Sequence, residues 1–370
     1  MEEGQPLDVC YLDFAKAFDT VPHKRLLAKL KAYGIRGKLL RWIESFLSGR
    51  RQRVLIQGDT SGWSPVTSGI PQGSVLGPTL FIVYINDLPN CVTNCVRMFA
   101  NDTKVYSRVS PSVSISPLQQ DLDALVRWSE RWLIRFNASK CKVMHIGARN
   151  PCVSCSLGVV EISQTLTEKD LGITMDCNLK FHKQSAAAVS KASQMLSVIR
   201  RSFANIDSST LPLLFKTLVR PFLEYGNLVW GPFGKMDMKK VERVQRRATR
   251  LVQSVRRLPY CERLRLLKLP SLHYRRQRGD MIAVYQMLHG GMSVPVEKFL
   301  TRSTTRRTRG HEWKLCKPRS RTFVRRHAFS SRVVNPWNGL PQEVVSATSV
   351  AQFKARLDAH WASIMYDVPT

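Results

Sequence analysis

Leu7 to Phe14 form an apolar run broken near its end by one carboxylate, Asp13. That pattern predicts a buried strand carrying an acid to a sheet edge. Pro22 then opens a predicted helix whose apolar face is Leu26, Leu27, Leu30 and Tyr33, with Gly34 placed to stop it. A second helix over Lys38–Leu47 carries Leu39, Leu40, Ile43, Phe46 and Leu47 on one side, and a strand over Arg51–Ile56 leads to the turn residues Gly58 and Asp59. The stretch Ser68 to Gly77, SGIPQGSVLG, is a Gly- and Pro-punctuated loop feeding an apolar helix over Thr79–Leu88. Val96–Ala100 and Thr103–Ser107 read as two short strands joined at Asn101 and Asp102, residue types suited to a tight hairpin turn. Leu118, Leu122, Leu125, Trp128 and Trp132 recur at helical spacing in a helix over Pro117–Phe136, which core packing explains. A strand over Lys142–Ile146 and helices over Ala186–Phe203 and Leu211–Tyr225 complete the regular pattern.

The last third changes character. From Met236 to Ser330 there are 25 Lys and Arg against 6 Asp and Glu. Val241, Val244, Ala248, Leu251, Val252 and Val255 form an apolar stripe there, while Arg243, Arg246, Arg247 and Arg250 occupy other faces. Such a helix docks on a core and turns cations outward. The segment TRSTTRRTR, from Thr301 to Arg309, has no apolar period and reads as a flexible basic linker. Trp230, Trp313 and Trp337 are isolated aromatic residues that could stack on bases, but such tryptophans are more often core or interface anchors, and they are left unassigned.

Charge sharpens the picture. A net charge of +30 over 370 residues exceeds what solubility requires and points to a polyanion, with nucleic acid as the leading partner. No run long enough to span a bilayer is present, and the start MEEGQPLDVCYLDF lacks the pattern of a secretion signal, so a membrane partner is not expected. An intracellular protein with reduced thiols is expected, in the nucleus or a cytoplasmic ribonucleoprotein. Cys91 with Cys95 and Cys152 with Cys155 have the spacing of two half-sites for zinc, yet they lie far apart without a Gly-rich knuckle, and no zinc site is assigned.

Two loci carry candidate chemistry. Hard divalent cations acting on phosphoryl groups take oxygen ligands, so carboxylates from separate strands must meet at one point. Asp13 at a strand end and the hairpin around Asp102 have that form. Acids in such places also serve as turn or cap residues, and at this level both readings stand.

The three segments YLDFAKAFDTVPH (Tyr11 to His23), SGIPQGSVLGPTLFIVYINDLP (Ser68 to Pro89) and FANDTKVYS (Phe99 to Ser107) resemble, in order and spacing, the central palm motifs of non-LTR, LINE-like reverse transcriptases. WSERWLIRFNASKCKVMHIG (Trp128 to Gly147) and KDLGITMDCNLKFH (Lys169 to His182) are similar to the palm and primer-contact segments that follow. The resemblance implies an α+β right-hand polymerase palm, an antiparallel sheet with packed helices, followed by thumb-like helices and a basic helical C-terminal region. It implies residues 1–150 as palm with most of the fingers missing, 151–235 as primer-contact segment and thumb-like helices, 236–300 as a basic helical region, 301–328 as a basic linker and 329–370 as a small terminal unit. The implied activity is RNA-directed DNA polymerisation by two-metal nucleotidyl transfer. Its cofactor is Mg²⁺ or Mn²⁺, and its partners are an RNA template, a DNA primer and deoxynucleoside triphosphates. Carried over motif by motif, Asp13 and Asp102 become metal ligands and Phe18 the ring beneath the sugar. Gln72 and Gly73 line the incoming nucleotide, and Lys140 becomes the proton donor to pyrophosphate.

Two departures follow. The hairpin that reads FADD in the family reads FAND here, so Asn101 stands at a normally acidic ligand position, and a neutral amide oxygen is the poorer Mg²⁺ ligand. The resemblance begins just before the first palm motif, which leads to the expectation that the fingers are supplied by another chain or lost. Against an impaired polymerase, the alternatives are a catalytically inactive RNA- or DNA-binding protein and a non-functional element remnant.

Overall fold

The computed structural model describes residues 5–109, 116–303 and 310–368. Contacts divide the chain into two compact units, one ending at Glu168 and the other beginning at Lys169. The first expected boundary, at 150/151, differs from this division, because β-strands beyond 151 are stitched onto the first unit, as follows.

In the first unit, β1 (Leu7–Leu12) is the centre of the sheet. It leads to α1 (His23–Ala32) and α2 (Gly37–Leu47). Two small ribbons come next: β2 (Arg51–Gln52) pairs with β5 (Ser64–Pro65), and β3 (Leu55–Ile56) with β4 (Asp59–Thr60). The single strand predicted over Arg51–Ile56 is therefore two fragments in two ribbons, all of them exposed, with no core to align them. After them come α3 (Leu76–Ile85), the hairpin β6 (Cys95–Phe99) and β7 (Asp102–Arg108), and α4 (Pro117–Trp132). The unit closes with β8 (Lys142–Ile146), β9 (Ser156–Leu157), β10 (Val160–Glu161) and β11 (Ser163–Gln164).

The main sheet has the order β11-β8-β1-β7-β6. All its pairs are antiparallel except β11 with β8. Side chains alternate across a sheet, and Cys10, Val105 and Val143 lie side by side on the face covered by helices. Leu26, Leu30, Leu80, Phe81, Tyr84, Leu118, Leu122 and Leu125 pack against them from α1, α3 and α4. Cys155, Leu157 and Ile162 join this same core, which is why 151–168 belongs here. On α2 only Ile43 and Leu47 are buried, whereas Leu39 of its predicted apolar side is exposed, as is Trp42.

The ribbon of β12 (Thr167–Asp170) and β13 (Ile173–Asp176) precedes the second unit's helices. These are α5 (His182–Ser202), α6 (Thr210–Leu214), α7 (Arg220–Glu224), α8 (Lys235–Ala248), α9 (Tyr260–Leu266) and α10 (Leu272–Leu288). A π-turn, Phe215–Val219, joins α6 to α7. Short helices follow: α11 (Phe323–His327), α12 (Phe329–Arg332), α13 (Val334–Asn338), α14 (Gln342–Val345) and the longer α15 (Val350–His360). The predicted stripe is buried as Val241, Val244 and Ala248 on α8 and as Val252 and Val255 in the short turns after it, with Leu251 partly buried.

The separate terminal unit expected at 329–370 is instead part of this helical body. Tyr285 of α10 stacks on Phe353 with ring centroids 4.4 Å apart, and Trp337 is buried in the same cluster. Of the predicted linker, 301–328, residues 304–309 lie outside the described residues; His311 and Leu315 are buried, and Leu315 bridges Arg302. Trp230 and Trp337 are core anchors, while Trp313 lies under the Arg302 guanidinium.

Candidate active site

The site is built at the end of β1. Leu12 and Phe14 are buried, so alternation turns Asp13, between them, to the other face. The backbone there is pinned from 135–141: Asn137 N donates to Asp13 O at 2.7 Å, Ala15 N donates to Arg135 O at 2.8 Å, and Phe14 stacks on Phe136 at 4.7 Å. The Asp13 amide points at the Cys141 Sγ at 3.5 Å, and burial pushes that thiol up to about 11. Cys141 is thus a neutral packing group and not a nucleophile at ordinary pH.

Asp13 Oδ2 is buried without a hydrogen-bond partner. Lys140 Nζ lies 3.5 Å from it on a largely exposed side chain. Lys142, two residues on, is committed elsewhere, donating to Ser163 Oγ at 2.6 Å. Of the two neighbouring lysines, the structure brings Lys140 to the acid. A buried acceptor without a donor is costly unless a cation satisfies it. One orphaned carboxylate oxygen at a strand end therefore fits a hard divalent cation, and Lys140 alone covers it only at ion-pair distance.

The hairpin differs from expectation by one residue. Phe99 pairs with Asp102, so the turn is Ala100–Asn101, with Ala100 at φ 52°, and Asp102 is the first residue of β7. Leu12 lies opposite Thr103. Asp13 and Asp102 are each the next residue outward from that pair, and both project to the face opposite Leu12 and Thr103. Asp102 is exposed, and Asn101 sits in the turn beside it.

The other predicted residues gather one layer away. Phe18 stacks on Phe81 at 4.7 Å, and Phe81 also meets Phe14 edge-on at 6.3 Å, so one aromatic cluster underlies both Asp13 and Phe18. Phe18 O accepts from Ile70 N at 2.7 Å, which ties the 68–77 loop to the first motif. Gln72 Nε2 donates to Asp19 Oδ1 at 2.9 Å. Gly73 has φ +80° with open space where a Cβ would stand, so its backbone is approachable. No described contact joins Gly73 to Asp13 or to Asp102.

Sequence reading missed the basic cleft behind this loop. A cavity of about 720 Å³ is lined by Lys16, Asp19, Arg50, Arg51 and the 65–72 segment. Arg50 Nη2 donates to Gly69 O at 2.7 Å, and His23 Nε2 lies 2.8 Å from the same oxygen. The doublet Arg50–Arg51 beside the break at Gly49 was the available signal.

A helix-backed, largely antiparallel sheet with an acid at the end of its central strand places the first unit in the mixed α+β class. The reverse transcriptase (RNA-dependent DNA polymerase) family model matches residues 4–190, half of the chain, and the chain belongs to that family. It is 33% identical over 292 residues to the RNA-directed DNA polymerase from mobile element jockey of Drosophila melanogaster, covering 74% of this chain and 31% of that protein. It is 28% identical over 281 residues to the probable RNA-directed DNA polymerase from transposon BS of the same fly, covering 68% and 29%. The probable RNA-directed DNA polymerase from transposon X-element of D. melanogaster is 28% identical over 256 residues, covering 65% and 28%. The matched part of this chain thus spans less than a third of the length of these relatives. The non-LTR retrotransposon assignment made from the motifs is borne out.

Proposed function

We propose that this chain carries the catalytic segment of an RNA-directed DNA polymerase, adding deoxynucleotides to a DNA primer along an RNA template. The observation that carries the reading is the unpartnered, buried Asp13 Oδ2, with Lys140 Nζ 3.5 Å away and Asp102 on the same face by strand register. A divalent cation, Mg²⁺ or Mn²⁺, held by Asp13 and Asp102 would supply Lewis-acid activation of the primer 3′ hydroxyl and neutralise triphosphate charge. Lys140, largely exposed, delivers a proton to the departing pyrophosphate. Phe18, braced on Phe81, presents a ring that excludes a 2′ hydroxyl. Gln72 and Gly73 line the nucleotide, with Gln72 oriented by Asp19.

In this reading the first unit acts as palm, and helices of the second act as thumb with a basic extension. The setting is intracellular, nuclear or in a ribonucleoprotein. Asn101 weakens cation binding by replacing a charged ligand with an amide, so the polymerase is impaired.

Primer extension on an RNA template with Mg²⁺ or Mn²⁺ tests this, comparing the parent chain with Asn101→Asp and with Asn101→Asp plus Asp13→Ala. Extension by Asn101→Asp at least about tenfold above the parent, abolished by Asp13→Ala, is expected, since a lost metal ligand removes a large part of transition-state stabilisation. Extension that survives Asp13→Ala overturns the site. Failure of every variant to extend, with nucleic-acid binding intact, returns the chain to the non-catalytic binding reading.

A further inference from the structure

The second unit contains a cavity of about 540 Å³ bounded by α8, α9 and α10, within the size range of small-ligand pockets, roughly 300–1,000 Å³. Lys239, Glu242, Arg243 and Arg246 enter it from α8, at the spacing of one helix stripe. Arg276 enters from α10.

Arg276 is the informative residue. It is 9% exposed, and its Nη2 has no hydrogen-bond partner. A buried guanidinium nitrogen without an acceptor is unfavourable, and folded proteins rarely keep one unless something else satisfies it. Three carboxylates offset the charge of Arg276, but none accepts from Nη2. Glu242 accepts from Tyr260 Oη at 2.7 Å and from Leu272 N at 3.1 Å. Glu224 is taken by Arg275 at 2.8 Å, and Asp280 by Arg332 through two bonds of 2.9 Å. Every acid that acts on Arg276 is thus bonded to another group.

We propose that this cavity binds a phosphate group, either a backbone phosphodiester of single-stranded nucleic acid or a terminal phosphate of a free polyphosphate. Guanidinium forks match phosphate oxygens in pairs, and Lys239, Arg243 and Arg246 are exposed at the rim, where a long polyanion can reach them. Among the described residues, Glu242 is the one acid lining the cavity. Its oxygens are engaged by other donors, Tyr260 Oη and Leu272 N. The site lies wholly in the second unit and stands apart from the polymerase reading.

The test uses the full chain and a fluorescein-labelled oligouridylate, followed by anisotropy across a salt series. The variants are Arg243→Gln with Arg246→Gln, Arg276→Gln, and a charge-matched control on exposed positions of α5, Arg200→Gln with Arg201→Gln. In parallel, thermal unfolding is measured with and without tripolyphosphate. Losing charge-assisted contacts of this kind should weaken binding about tenfold relative to the control and flatten the salt dependence by about one further ion.

If the α8 pair loses oligonucleotide affinity beyond the control, the ligand is a backbone phosphodiester. If oligonucleotide affinity matches the control but stabilisation by tripolyphosphate disappears, the ligand is a free polyphosphate. If neither measurement separates the α8 pair from the control, the proposal is wrong. Arg276→Gln adds the buried contribution where it folds, and the exposed α8 pair carries the test where it does not.

Discussion

Lys29 is a lysine that the fold has almost removed from water, and the cost of stranding it can be worked out. Its ammonium is 5% exposed and lies 2.5 Å from Asp87 Oδ1. It also donates to Tyr84 O and sits 3.6 Å above the Trp132 ring, with Tyr84 and Trp128 rings at 4.9 and 5.3 Å. Burial draws its pKa below the ordinary lysine value, while Asp87 pushes it back up. Trp128 Nε1 also donates to Asp87 at 3.2 Å, so this one acid ties α1 and α4 to the end of α3. Asp87→Ala leaves a buried cation without its counter-charge, which costs about 3–5 kcal/mol. Cation–π contacts return on the order of 0.5–2 kcal/mol, so about 3 kcal/mol is the expected loss. Lys29→Met is milder at about 1–2 kcal/mol, because Asp87 is 30% exposed and keeps the Trp128 donor. The double variant should therefore be more stable than Asp87→Ala alone, which is the signature of a stranded charge. Amide hydrogen exchange of α1, α3 and α4 peptides reads this in the full chain, where about 3 kcal/mol appears as a loss of about two decades of protection. A double variant as damaged as the sum of the singles would refute the reasoning.

Gly69 has φ +88°, and a Cβ there would lie 2.7 Å from Asp19 O. Gly69→Ala should cost at least about 2 kcal/mol and loosen the 68–72 loop, seen as faster proteolysis of the loop; unchanged cleavage would contradict the packing. His311 accepts from Trp313 N at Nδ1 (3.1 Å) and faces Trp337 O at Nε2 (3.0 Å), which fixes the neutral ring, and burial lowers its pKa. The unfolded ring binds a proton more readily than the folded one, so this contribution is complete above the unfolded value of about 6.5 and is lost as pH falls below it. Thermal melts across that range should show a slope that His311→Gln reduces; an equal slope in both proteins would exclude His311 as its source.

Much of the first unit was legible because its elements bury what their period dictates. β8 runs over Lys142–Ile146 as predicted, and β1 and α1 begin where Leu7 and Pro22 say they should. The misses have local causes. α4 stops at Trp132 because Leu133 takes a left-handed φ of 53°, for which leucine gives no warning, and this frees Phe136 to stack on Phe14. The hairpin turn slid by one residue because Ala100, with no marker for positive φ, accepts the strained position. Long-range partners such as Lys140 with Asp13, or Arg276 beside acids already taken, are separated by too much chain for periodicity to pair them.

That one-residue slide changes how Asn101 is weighed. With the turn at Asn101–Asp102, strand alternation would send the surviving acid away from Asp13. With the turn at Ala100–Asn101, Asp102 becomes a strand residue one step beyond the Leu12–Thr103 pair, so in the proposed site the first motif and the hairpin would still contribute one carboxylate each. In that proposal Asn101 removes negative charge beside the pair, and not the pair itself. Fewer charges lower the affinity for a divalent cation while leaving the ligand geometry in place. Any extension activity should consequently respond to cation concentration: Asn101→Asp should lower the half-saturating Mg²⁺ concentration by about tenfold, equivalent to about 1.4 kcal/mol, more than it raises the rate at saturation. Asp102→Asn, which removes a member of the pair, should instead abolish extension at every Mg²⁺ concentration. If Asp102→Asn and the parent titrate alike, Asp102 does not share the site with Asp13, and the register argument fails with it.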